Sequence, residues 1–140
     1  MNTSPADTGS ILALDIGAAR VGMAVASRLA RVAHPAGALS NDAQLAVHLR
    51  ELCGREDVSQ LVIGLPRGLD GNETAQTQAA RVLGEQLAAT LQLPCYWQDE
   101  AVTSVQAETE LRARGKPYAR GDIDALAATY ILEDYLHDHL

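Results

Sequence analysis

Apolar residues run along this chain in two rhythms. Short unbroken runs, "ILALD" (11–15), "QLVIG" (60–64) and "CYWQ" (95–98), read as buried strands. "VGMAVAS" (21–27) follows the first run after a short turn and predicts its hairpin partner. "VAHPAGALS" (32–40) predicts a third, edge-like strand, where Pro35 is tolerated. The other rhythm is helical. Asn41 with Gln44 resembles a capping box, and Leu45, Leu49 and Leu52 then share one face that ends near Gly54. After the loop "LPRGLDGNET", Asn72 is the candidate N-cap of a long helix carrying Ala79, Leu83, Leu87 and Leu91 at spacings of four. "TSVQAE" offers a second capping box, at Thr103 and Gln106, opening a more polar helix to about Arg114. "GKPYARG" is a loop, and a last helix runs from about Asp122 to the C-terminal end.

The order is three strands, a helix, then strand–helix–strand–helix–helix. The early hairpin predicts a mixed sheet, and the later alternation predicts parallel strands covered by helices, an α/β fold. Residues 1–10 are polar and turn-rich and read as a loose segment, leaving 11–140 as a single domain. Composition changes this picture little. A chain of 140 residues suits one compact domain, and a 47% hydrophobic fraction supports a core that Ala, Leu, Val and Ile must fill, since Phe is absent. Cys53 and Cys95 have no CxxC spacing and read as reduced, buried thiols. No apolar run approaches about 18 residues and the first ten have no basic and apolar leader pattern, so the expected compartment is cytoplasmic.

Charge matters more. The formal net charge of −7 argues against a protein that coats nucleic acid non-specifically, but not against a nuclease with an acidic metal site. Three acids have unusual addresses. Asp15 ends an apolar run, where a carboxylate must be paired, protonated or bound to a cation. Strand-end acids at the carboxyl edge of a sheet line sites; the plainer role is a turn residue beside Gly17. Asp124 shares a helical face with Ala127, Ala128 and Ile131, an inward stripe. A favourable helix dipole explains an acid in the first turn but not on that face. Asp122, two positions earlier, has the natural role of an N-cap. Asp99 and Glu100 end the strand at Trp97, and alternation places them on opposite sides of the sheet. One can face Asp15 and Asp124, or both can be solvated loop acids; the stretch itself does not rank them. Three carboxylates meeting at a sheet edge would suit Mg2+ or Mn2+. The four His residues form no zinc pattern, and no Walker A, GxGxxG or GxSxG sequence is present.

Three blocks in order carry a resemblance. "LALDIGAARVGMAVAS" resembles an Asp–x–Gly–x–x–Arg–x–Gly block, matched by Asp15, Gly17, Arg20 and Gly22. "VIGLPRGLDGNET" resembles a Gly–x–Pro loop with a following Asp-Gly, and "DEAVTS" with "DALAATYILEDYL" resembles a closing pair of blocks. Together, over about residues 11 to 136, they resemble the YqgF family, also called RuvX: Holliday-junction-resolvase-like proteins linked to pre-16S ribosomal RNA processing. The resemblance implies a ribonuclease H-like fold with a five-stranded mixed sheet flanked by helices. It implies a divalent-metal nuclease acting in 5′-end processing of pre-16S rRNA, with Asp15, Glu100 and Asp124 as catalytic acids and ligands of Mg2+ or Mn2+, two ions in all. This selects Glu100 over Asp99. The family commonly has Arg directly after the Glu, where this chain has Ala101.

Bases are clustered. Arg112, Arg114, Lys116 (the only Lys) and Arg120 lie in "RARGKPYAR" with Tyr118, which could stack on a base. This loop, Arg20 and Arg67 are the expected nucleic-acid contacts; the plainer use of the loop is a dipole-favoured helix end. The alternatives are a resolvase of branched DNA, which needs a homodimer to cut two strands, or a catalytically weak nucleic-acid-binding module. The first block also resembles the phosphate loop of actin-like ATPases, but those close two such domains over ATP and this length supplies one.

Overall fold

The computed structural model describes residues 8–68, 70–100 and 103–140. Five strands form one sheet: β1 Ser10–Ile16, β2 Arg20–Ser27, β3 His34–Ser40, β4 Val58–Pro66 and β5 Cys95–Glu100, in the order β3-β2-β1-β4-β5. The β1/β2 and β2/β3 pairs are antiparallel, and β1/β4 and β4/β5 are parallel, so the mixed sheet expected from the hairpin and the alternation is present. Among the described residues, four helices follow the sequence order: α1 Leu45–Arg55, α2 Ala75–Leu91, α3 Thr103–Ala113 and α4 Arg120–His139. Strand β1 begins at Ser10, whose N–H donates to Asp57 O, within the segment expected to be loose; residues 1–7 of that segment lie outside the described residues.

The two faces of the sheet differ in residue size, and this decides how closely helices approach. Leu12, Leu14, Val21, Met23, Leu61 and Ile63 point to one face and pack with Leu45, Leu49 and Leu52 of α1 and Leu87 of α2. Ala13, Ala24, Ala26 and Val62 point to the other, where α4 lies with Ala128, Ile131 and Leu132. α3 packs on α4 through Ala107, Leu111, Leu126 and Ala127. Burial of β4 on both faces is why its sequence reads as an unbroken apolar run rather than an alternation.

Helix starts differ from expectation. α1 begins at Leu45 without a side-chain cap, because Asn41 is used elsewhere: its amide donates to Gly17 O at 2.8 Å. Asn72 sits in a turn, its N–H donating to Asp70 Oδ1, and the N-cap of α2 is Thr74, which exchanges bonds with Thr77. The buried stripe of α2 is Thr77, Ala80, Gly84 and Leu87, with Ala79 exposed and Leu83 partly buried. Gly84 faces the sheet because Trp97 and Ile63 fill its place: an added Cβ would lie 3.1 Å from both. α4 starts at Arg120, earlier than expected. Asp122 is therefore not the N-cap; it lies inside the first turn and accepts from Ala119 N–H at 2.9 Å. The proposed cap at Thr103 and the departure at Ala101 lie outside the described residues and side chains. Cys53 and Cys95 are free and partly buried, with no disulfide among the described residues.

Candidate active site

The parallel strands β1, β4 and β5 end at one edge of the sheet, and α4 begins over the same edge. That topology brings Asp15, Glu100 and Asp124 from distant points of the chain into one cleft of about 580 Å³. Asp15 pairs across the hairpin with Gly22, so both point to the α4 face. Gly22 has no side chain because the helix is already there: an added Cβ would lie 2.0 Å from Asp124 O and 2.3 Å from its carbonyl carbon. This contact sets Asp124 beside Asp15. Glu100 pairs with Pro66, two residues past Gly64 on β4. Its longer side chain reaches back across Gly64, where an added Cβ would lie 3.3 Å from the Glu100 carboxyl carbon. The glycine leaves room for the Glu100 carboxyl, which hydrogen-bonds to Asp15, and for Ile131 of α4, whose Cδ1 would lie 2.4 Å from the added Cβ.

Burial and the charge of Asp124 raise the Asp15 pKa from 3.8 to about 6, and the bond from Glu100 pulls it partly back. Asp15 and Asp124 thus repel each other where burial limits screening by solvent. Arg20 answers Asp124 directly: its Nε donates to Asp124 Oδ2 at 2.6 Å. In this conformation, no three His, Cys, Asp or Glu side chains among the described residues stand at a spacing that would hold a metal ion. The acids share the cleft but do not converge.

Strand alternation separates Asp99 from this group. It accepts from Arg67 Nη2 at 2.9 Å and Nε at 3.3 Å, while Arg67 Nη1 lies 3.9 Å from Glu73. Asp99 thereby orients an arginine that lines the acid cleft. Its side chain is 66% exposed, so the pair adds at most about 1 kcal/mol to stability. Asp99→Asn is expected to leave the melting temperature unchanged and to raise KM for nucleic acid at low salt. An unchanged KM would show that Asp99 does not set Arg67 for a substrate phosphate.

The remaining expected contacts divide. Arg114 and Lys116 line a second cavity of about 660 Å³ with Tyr118 and Tyr130, and it shares no lining residue with the acid cleft. Arg112 lies 3.7 Å from Glu108 and Arg114 3.4 Å from Glu110, so two of the bases are partly neutralised by acids of α3. The Tyr118 hydroxyl donates to Glu108 at 3.4 Å. Trp97 packs into the sheet core with Arg81 over its ring, as a strand residue rather than a base platform. The sequence reading missed Asn41, which ties the turn between Asp15 and Arg20 through Gly17 O and also donates its N–H to Ala19 O. Gly64 enters the sequence reading only as the first residue of the Gly–x–Pro block, with no role attached; a glycine inside a buried strand was the available signal of a close approach.

Comparison with known proteins agrees with this architecture. The family model described as RuvX, Holliday junction resolvase, matches residues 9–138. A protein of Thermosynechococcus vestitus named "Putative pre-16S rRNA nuclease" is 36% identical over 131 residues, spanning 91% of this chain and 87% of that protein. One of Dechloromonas aromatica with the same name is 36% identical over 132 residues, spanning 91% and 90%. Among solved structures, T. thermophilus RuvC in complex with Holliday junction substrate superposes with a TM-score of 0.53 at 18% identity, covering 94% of this chain and 96% of that one. That likeness is one of fold: the five-stranded mixed sheet with flanking helices is ribonuclease H-like.

Proposed function

The chain belongs to the RuvX family, and on that premise we propose that it is a divalent-metal-dependent nuclease that hydrolyses phosphodiester bonds in the 5′-end processing of pre-16S ribosomal RNA. One observation carries the reading: Asp15, Glu100 and Asp124 line one cleft, and burial with mutual repulsion keeps Asp15 from ionising in its ordinary range. Such a site has oxygen donors and an excess of negative charge, which fits Mg2+ or Mn2+ and not a soft metal. When bound, the metal supplies Lewis-acid polarisation of the phosphate and a more acidic water.

The protein's own residues do the rest. Asp15, Glu100 and Asp124 would hold the ion, and Asp15, whose pKa is raised to about 6, would have to be ionised to do so. Arg67, held by Asp99 and Glu73 at the rim, meets a phosphate with a guanidinium already oriented. Arg120 opens α4, where the helix dipole disfavours a cation, so its charge is available to a phosphate approaching that end. Arg112, Arg114 and Lys116 extend the basic track beyond the cleft.

The deciding assay uses highly purified protein with Mg2+ or Mn2+ and two substrates, RNA carrying the 5′ precursor of 16S rRNA and a four-way DNA junction. Trimming of the RNA supports the reading. Symmetric cutting of the junction alone would replace the substrate and require a dimer. Absence of cleavage on both would leave a binding module. Alanine substitution of Arg112, Arg114, Lys116 and Arg120 together is expected to weaken RNA binding. It should also flatten the salt dependence by roughly 0.7 log units per decade of salt for each phosphate of a single strand that the variant no longer neutralises. An unchanged slope would return the loop to a purely structural role.

A further inference from the structure

We propose that Arg20 is a latch on the acid site: it holds Asp124 away from Asp15 and Glu100 until a substrate phosphate draws the guanidinium off and frees Asp124 to bind the cation. This rests on the reading of the cleft as a divalent-metal site. The bond itself is short and charge-assisted, Arg20 Nε to Asp124 Oδ2 at 2.6 Å. While it stands, the described acids share a cleft yet no three of them take up metal-ligating spacing.

Both backbones are fixed, so the change between states is one of side chains. The Arg20 carbonyl accepts from Gly17 N–H at 2.9 Å, and Arg20 pairs with Ser40 on β3. Asp124 is pinned from below, since Gly22 already touches its backbone. The Arg20 side chain is 37% exposed and that of Asp124 is 18% exposed, so an incoming phosphate reaches the guanidinium more readily than the carboxylate. Arginine does not deprotonate, so its charge leaves Asp124 only for another anion. Departure of Arg20 leaves carboxylates facing one another, which favours a divalent cation in its place. Metal and nucleic acid therefore bind with positive coupling, each tightening the other by the same factor. A contrary role, in which Arg20 merely orients Asp124 while the other carboxylate oxygen takes the metal, predicts the opposite sign.

The test reads metal binding rather than cleavage. Free Mn2+ is followed by electron paramagnetic resonance during titration of the wild type, Arg20→Gln and Arg20→Lys. Each is titrated alone and with a short, cleavage-resistant phosphorothioate RNA oligonucleotide. Arg20→Gln alone is expected to bind Mn2+ about tenfold more tightly than the wild type, a coupling within the usual range. Arg20→Lys, which keeps the charge, should stay closer to the wild type. The oligonucleotide should tighten Mn2+ about tenfold in the wild type and not in Arg20→Gln. Equal or weaker Mn2+ binding by Arg20→Gln, or no effect of the oligonucleotide on the wild type, overturns the latch and leaves the metal site standing. The second of these measurements needs no variant to fold. Failure of all three proteins to bind Mn2+ overturns the latch and the metal-nuclease reading together.

Discussion

Asp15→Asn is expected to abolish metal-dependent cleavage and, at neutral pH without metal, to make the protein more stable. The two effects have one cause. Asp15 lies in a part of the cleft where burial and the Asp124 carboxylate both disfavour its ionised form, and its folded-state pKa is about 6 against 3.8. A raised folded-state pKa means the native protein holds this proton more tightly than the unfolded chain does. Its favourable contribution is complete below about pH 4 and is lost as pH rises through about 6. At pH 7.5 the cost of the charged Asp15 is about 3 kcal/mol, from a shift of roughly two pKa units at 1.36 kcal/mol each. Asparagine fills the same space and carries no charge, so it removes that cost. The difference in stability between Asp15→Asn and wild type should therefore be near zero at pH 4 and grow to about 3 kcal/mol in favour of the variant at pH 7.5. Saturating Mg2+ or Mn2+ should reverse the order, because only the wild type gains binding energy from the ion. Denaturant melts at the two pH values, with and without metal, check this. Equal stability at both would mean that Asp15 is paired rather than strained. Cleavage retained by purified Asp15→Asn would remove it from the catalytic group.

The acids of the site were legible in the chain to different depths. Period-two alternation places Asp99 and Glu100 on opposite sides of the sheet, and the structure has Asp99 with Arg67 and Glu100 with Asp15. Helical periodicity places Asp124 beside the buried stripe of Ala127, Ala128 and Ile131, and that is where it lies. Both follow because side-chain direction is fixed by backbone repeat. Which of Asp99 and Glu100 joins the cleft is not a matter of repeat, since it depends on what occupies each face, and the family resemblance supplied it. Helix caps failed for a related reason. A cap is a competition for one polar side chain, and Asn41 is spent on Gly17 O, a partner that only the hairpin brings near. The basic stretch at 112–120 lies between Glu100 and Asp124 in the chain, and that order alone predicts a place near the cleft. Arg114 and Lys116, just past the end of α3, line the neighbouring cavity, because α3 packs on α4 and directs the loop that follows it there.

Gly22→Ala is expected to damage fold and chemistry together, although it adds only a methyl group. The new Cβ would stand 2.0 Å from Asp124 O, 2.3 Å from its carbonyl carbon and 2.9 Å from its Cβ. Two of these atoms belong to the backbone of α4 and cannot rotate away, so the helix must lift from β2 or the strand must bend. Overpacking of this kind costs about 1–3 kcal/mol, and a backbone obstacle puts the cost at the upper end. The lift is largest where it matters most, since Asp124 is the residue being pushed. A displacement of roughly 1 Å at a catalytic group is enough for a hundredfold loss in kcat. The variant should also lose its affinity for Mn2+, because the carboxylate moves with its backbone. Gly54→Ala supplies the control. No heavy atom lies within 4 Å of its added Cβ, and it sits inside α1, so alanine there should be neutral or stabilising by up to about 1 kcal/mol. Melting curves and Mn2+ titrations of both variants make the comparison. A Gly22→Ala protein with the wild-type melting temperature and metal affinity would mean that α4 does not rest on β2 at Asp124. The glycine of the opening block would then need another explanation than the approach of that helix.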